Sequence, residues 1–194
     1  MTIGNVTLEG RYARLEPLGL HHLDGLCEAG LDPGLWQWTL SVVRDRADMR
    51  DHIEAALRAR DAGTELPFVT LDSASGRVVG STRFMNIAMA HRRLEIGSTW
   101  VAPPFQRTAI NTDAKYLMLR HAFETLGCLR VELKTDALNE RSQTAILRIG
   151  ARQEGVFRRH MITATGRVRD TVWFSILDEE WPRVKAELER KLER

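Results

Sequence analysis

LEIGSTWVAPPFQRTAINTDAKYLMLRHAFETLGCLRVELKTDALNERSQTAILRIG, residues 94–150, holds the succession of elements that decides the fold. Residues 94–101 read as a strand, Pro103 and Pro104 break it, and a short polar loop then runs straight into a helical segment. There Met118, Leu119, Ala122, Phe123 and Leu126 form a wide apolar stripe. Tyr116 and Leu117 extend it so far around that both sides of the helix are expected to be covered. Gly127 stops it. RVELKTD, 130–136, alternates Val131, Leu133 and Thr135 against charged neighbours as a strand does, and NERSQTAILRIG, 139–150, predicts a short helix closed by Gly150.

The polar loop raises a chemical question, because a helix amino end leaves backbone N–H groups unpaired and carries partial positive charge. A loop that admits an anion there becomes a phosphate site. Gln106, Arg107 and Thr108 add side-chain donors, the small Ala109 permits close approach, and Asn111 or Thr112 is placed to cap the first turn. An ordinary capped helix after a Pro-Pro turn fits the same residues. No glycine supplies an unusual backbone conformation, and Asp113 adds negative charge that works against an anion.

Upstream, VTLEGRYARLEPL predicts one or two strands and HHLDGLCEA places Leu23, Leu26 and Cys27 at helical spacing. Met49, Ile53 and Leu57 recur every fourth residue in a further helix that Gly63 ends. PFVTL and RVVGSTRFMNIA, around DSASG, read as an antiparallel hairpin. Downstream, QEGVFRRHMI and RVRDTVWFSIL flank the turn ATGR, and a last helix carries Trp181, Val184, Leu188 and Leu192 on one side, for packing within the chain or against a second copy. The predicted class is α+β, a mixed and mostly antiparallel sheet flanked by helices, in a single domain over 1–194.

The 194 residues are 43% apolar, with no run long enough to span a bilayer and no basic-then-apolar signal in the first twenty. With two isolated cysteines, Cys27 and Cys128, the expectation is a cytoplasmic, disulfide-free protein. The net charge of +2, from 28 basic and 26 acidic residues, argues against nucleic acid unless Arg92-Arg93 or Arg158-Arg159 builds a local patch. The six histidines show no metal-ligand spacing, and the G-x-S-x-G elbow of serine hydrolases is absent.

On these residues the stretch 94–150 resembles the acyl-CoA-binding core of the GNAT acyltransferase superfamily, nearest its ribosomal-protein N-acetyltransferase-like branch. The likeness continues through "ARQEGVFRRH", "GRVRDTVWFSIL" and "DEEWPRVK" and back to "LEGRYARLEPL". Family loops follow Gln/Arg-x-x-Gly-x-Gly/Ala. Gln106 fits, while Ala109 replaces the first glycine and Asn111 the last small residue, so a methyl at 109 is expected to crowd a pyrophosphate.

The resemblance implies acetyl-CoA as cosubstrate and no metal. It implies that the strand at Trp100 and Val101 pairs with the pantetheine arm. It also implies that Gln106, Arg107, Thr108, Ala109, Ile110 and Asn111 hold the pyrophosphate, with Lys115 reaching toward a phosphate. Asn139, Ser142, Ile146 and Ile149 share a helical face; Asn139 as a helix cap is one reading, and the family's N-x-x-S pattern implies Asn139 on the pantetheine and Ser142 at the thiol. Glu95 is the preferred general base, on a strand face with Gly97 and Thr99 and opposite Trp100; Glu154 and His160 are weaker choices. The expected acceptor is a primary amine, a protein amino terminus or a small molecule. Acceptor choice is assigned to residues 28–66, where Trp36 and Trp38 lie, and to the last hairpin. A non-catalytic acyl-CoA sensor, or a succinyl transferase using Arg83, is the alternative, and the state is monomer or homodimer.

Overall fold

The computed structural model describes residues 4–193. Among them eight strands form one sheet in the order β1-β2-β3-β4-β5-β6-β8-β7. The strands are β1 (Leu8–Glu9), β2 (Ala13–Pro17), β3 (Leu66–Asp72), β4 (Val78–Ala88), β5 (Arg93–Val101), β6 (Arg130–Asp136), β7 (Arg152–Ile162) and β8 (Val168–Leu177). Neighbours are antiparallel except β5 and β6. That parallel pair requires a crossover connection. It is provided by α3 (Ile110–Arg120) and the wide turn His121–Thr125 that continues it. The other helices are α1 (Leu23–Gly30), α2 (Arg46–Asp61), α4 (Glu140–Arg148) and α5 (Trp181–Leu192).

Directly paired residues of adjacent strands share a sheet face. Leu15, Phe68, Phe84, Leu94, Ile96, Val131, Leu133 and Phe174 point to one face, where they bury Leu117, Met118 and Leu119 of α3 and Val184 and Leu188 of α5. Leu18, Val69 and Trp100 point to the other, under Leu26 of α1 and Met49 and Ile53 of α2. α3 is buried on both sides, as its broad stripe predicts. The stripe of α5 packs within the chain, with the Trp181 ring 5.4 Å from that of Phe123.

One irregularity reverses an expectation. Between the pairs Arg83↔Gly97 and Ser81↔Trp100, β5 uses three residue steps against two in β4. Ser98, at φ +49°, is the extra residue of a β-bulge. Beyond it every side chain changes face. Thr99 therefore turns toward α3, and Trp100 joins the side that carries Glu95 and Gly97, the reverse of the grouping expected from strict alternation.

Candidate active site

β5 and β6 run together through only Arg93↔Arg130, Leu94↔Val131 and Glu95↔Glu132. Past that point β5 follows β4 to Val101 while β6 follows β8 to Asp136, so the parallel strands separate into a wedge. The loop 102–109 leaves from the end of β5 and delivers the amino end of α3 to the wedge. No helix among the described residues is long and apolar enough to cross a membrane.

The loop is fixed by its own polar groups. Gln106 Nε2 donates to the Val101 carbonyl at 2.7 Å, and its Oε1 accepts from Arg141 of α4, which ties strand, loop and second helix together. Thr108 Oγ1 donates to the Phe105 carbonyl at 2.7 Å and accepts from the Ile110 amide at 3.3 Å. Arg107 occupies the left-handed region at φ +64°. Ala109 does not: at φ −70° and ψ −16° it is helical, so a methyl there causes no backbone strain. The first intrahelical bond of α3 runs from the Asp113 amide to the Ala109 carbonyl at 2.9 Å. Thus the Asn111 and Thr112 amides remain helix-end donors, and neither side chain acts as the expected cap.

Two neighbours in α3 behave differently from expectation. Asp113, 2% exposed, accepts from the Tyr12 and Ala13 amides at 2.6 and 2.9 Å, so its charge is turned away from the loop and fastens α3 to β2. Lys115 does not reach for the phosphate loop. Its Nζ lies inside, donating to Thr99 Oγ1 at 2.6 Å and Thr82 Oγ1 at 3.2 Å, and burial lowers its pKa to about 7.

Asn139 is the amino-terminal cap of α4, its Oδ1 accepting from the Ser142 amide at 3.0 Å. The cap places Ser142 in the first turn of α4, half-buried, with Ile146 and Ile149 buried behind it. The Ser142 hydroxyl makes no hydrogen bond among the described residues, so it does not bond back into the helix.

Glu95 is 1% exposed. Its Oε2 accepts from Lys134 Nζ at 2.8 Å and Asn86 Nδ2 at 2.7 Å, whereas Oε1 stands over Gly97, where a β-carbon would come within 2.8 Å of it. Lys134 also lies 5.0 Å from the centre of the Trp173 ring. Neither Lys134 nor Asn86 was singled out by the sequence; the alternation of Glu132, Lys134 and Asp136 along β6, facing the same side as Glu95, is the signal that would have found the first. Arg83 Nε, Trp100 Nε1 and Trp173 Nε1, all on this face, are buried donors without a partner among the described residues.

Other candidates are committed elsewhere. Glu154 accepts from Arg130 at 2.6 Å and from Ser175 Oγ at 2.6 Å, and these bonds, Arg130 foremost, hold its pKa down to about 2, too low for a general base. His160 is exposed on β7, beside the Phe157 and Trp173 rings. Arg83 is ion-paired with Glu65 at 2.9 Å and meets His52 Nε2 at 2.9 Å, so its guanidinium is engaged beneath α2. Trp36 is a core residue, donating to the Gly30 carbonyl at 2.8 Å, whereas Trp38 lies under the Arg167 guanidinium of the last hairpin, 5.5 Å from the ring centre. The two segments expected to choose the acceptor thus meet.

A family model described as "Acetyltransferase (GNAT) domain" matches residues 13–152, which spans the β3–β4 hairpin, the wedge, the loop and α4. The chain belongs to the GNAT acetyltransferase family. Within it, the chain is 33% identical over 106 residues to the provisionally named ribosomal N-acetyltransferase YdaF of Bacillus subtilis, an alignment spanning 55% of this chain and 57% of that protein. The chain thus spans little more than half the length of this curated relative. A crystal structure of a GCN5-related N-acetyltransferase from Brucella melitensis is 35% identical, with a TM-score of 0.90 over 97% of this chain and 86% of that one. Mycobacterium smegmatis RimJ, solved with CoA-disulfide, shares the fold at a TM-score of 0.80 and 22% identity, covering 96% of this chain and 93% of that one. The likeness to YdaF agrees with the ribosomal-protein branch that the motifs resemble.

Proposed function

We propose that this GNAT chain acts as a single domain over residues 1–194 and transfers an acetyl group from acetyl-CoA directly to a primary amine, a protein amino terminus or a small amine. The observation that carries this reading is the wedge between β5 and β6 with the unpaired amides of Asn111 and Thr112 at its mouth. A strand edge that has lost its partner accepts an amide-bearing arm as it would a peptide. Trp100 and Val101 supply that edge here, and residues 106–111 supply the diphosphate donors. RimJ, the fold relative solved with a CoA derivative, supports the same donor class.

In the proposed transfer, the acceptor ammonium first gives up a proton to become nucleophilic. Glu95, anchored through Oε2, offers Oε1 for it, directly or through a water. The neutral nitrogen attacks the thioester carbon, main-chain amides of β5 steady the oxygen, and the C–S bond breaks as the C–N bond is completed. The amine's second proton ends on the departing thiolate, toward which the Ser142 hydroxyl is the proposed hydrogen-bond donor. The acceptor enters from the sheet face of Glu95, Lys134 and Trp173. Acceptor choice falls to the junction of Trp38 with the β7–β8 hairpin.

The test is calorimetry with CoA followed by thiol release from acetyl-CoA over a panel of amines. Binding with amine-dependent thiol release is expected. Binding without release would instead identify a sensor, and the absence of binding at millimolar CoA would overturn the reading altogether.

A further inference from the structure

Lys115 is 6% exposed and forms no ion pair among the described residues. An amine buried without a counter-charge destabilises a fold. Nor do the hydroxyls of its partners need it for a hydrogen bond: Thr82 Oγ1 and Thr99 Oγ1 lie 2.8 Å apart and bond to each other. A methionine would fill the same space beside Met118 without that cost. The side chain is therefore poorly explained by packing, and its position suggests why it is there.

Thr99 follows the left-handed Ser98 in the bulge, on the length of β5 that has separated from β6. A left-handed conformation at a residue other than glycine costs about 1–2 kcal/mol, so the bulge requires support from its surroundings. Thr82 belongs to β4, held between β3 and β5. Lys115 therefore joins a fixed strand and the bulge to α3, one turn from the Asn111 and Thr112 amides.

We propose that Lys115 is a positioning residue for the acyl donor: it sets the Ser98–Thr99 bulge against α3 so that the thioester carbonyl meets main-chain amides of β5 while the diphosphate meets the helix end. This rests on the acyl-CoA reading above. An acyl-CoA is held at both ends, and a misplacement of about 1 Å between them is enough to cost on the order of a hundredfold in rate.

Steady-state thiol release, thermal melting and CoA calorimetry on K115M, T99V, T99S and K115M/T99V test it. K115M should melt at or above the wild-type temperature yet lose about tenfold or more in kcat, with the KM for the amine within about twofold. T99V should lose a similar factor, T99S should retain activity, and the double variant should be no worse than the poorer single one. Wild-type kcat in K115M, or losses that multiply in the double variant, would overturn the proposal. Should K115M not fold, the contrast of T99V with T99S decides. Wild-type protein that binds no CoA removes the acyltransferase reading itself, whereas an active wild type matched by K115M removes only this inference.

Discussion

Lys115 also makes a pH prediction. Burial lowers its folded pKa from 10.5 to about 7, so between those values the unfolded chain holds a proton that the folded chain has released. Stability then rises with pH through that window, by at most about 1.4 kcal/mol per pH unit. Below pH 7 both states are charged and the burial penalty is complete. Urea unfolding between pH 7 and 9 should show the upward slope in wild type and a flatter one in K115M. Asp113 predicts the opposite kind of effect. D113A would leave the half-buried Tyr12 amide and the buried Ala13 amide without their acceptor, a loss of about 2–4 kcal/mol measured by denaturant midpoint.

Gly80 shows how two strands are kept in register around the bulge. A β-carbon at this position would stand 2.2 Å from the Trp100 carbonyl oxygen. Because the obstacle is backbone, no rotamer relieves it, and G80A should destabilise by about 3 kcal/mol or more while raising the KM for acyl-CoA, since the displaced strand is the proposed donor edge. α5 is held by ordinary packing: Leu188 is 0% exposed in the main core. L188A should cost about 2–5 kcal/mol in thermal or chemical unfolding with little change in kcat for whatever fraction stays folded.

If the wedge binds acyl-CoA, ligand and fold stability are linked through the whole chain. CoA at about one hundred times its dissociation constant adds roughly 2.7 kcal/mol, which for a domain of this length corresponds to a melting shift of about 5–10 °C. Differential scanning fluorimetry with and without CoA reads it. The shift should shrink in N139A, whose helix cap and proposed pantetheine contact are both lost, and should persist in E95Q, which removes the proposed base and the charge opposite Lys134 but no proposed donor contact, while turnover falls.

Much of this arrangement is legible in the sequence alone. Periodicity gave the strands, the two hairpins and all five helices, because an amphipathic element repeats its pattern locally. The motif at 106–111, with Asn139 and Ser142, pointed to the family, and the same residues make up the proposed donor site. What no local pattern carries is how faces and partners are settled at long range. One extra residue at Ser98 exchanged the sides of Thr99 and Trp100, because register is a property of two strands rather than one. Asp113 and Lys115 stand two apart on one helix; one found the amides of β2, 100 residues away in sequence, and the other the threonines of the central strands. Composition cannot say which charge will be neutralised by a distant backbone and which will be buried without a counter-ion; only the packing of α3 onto the sheet decides that.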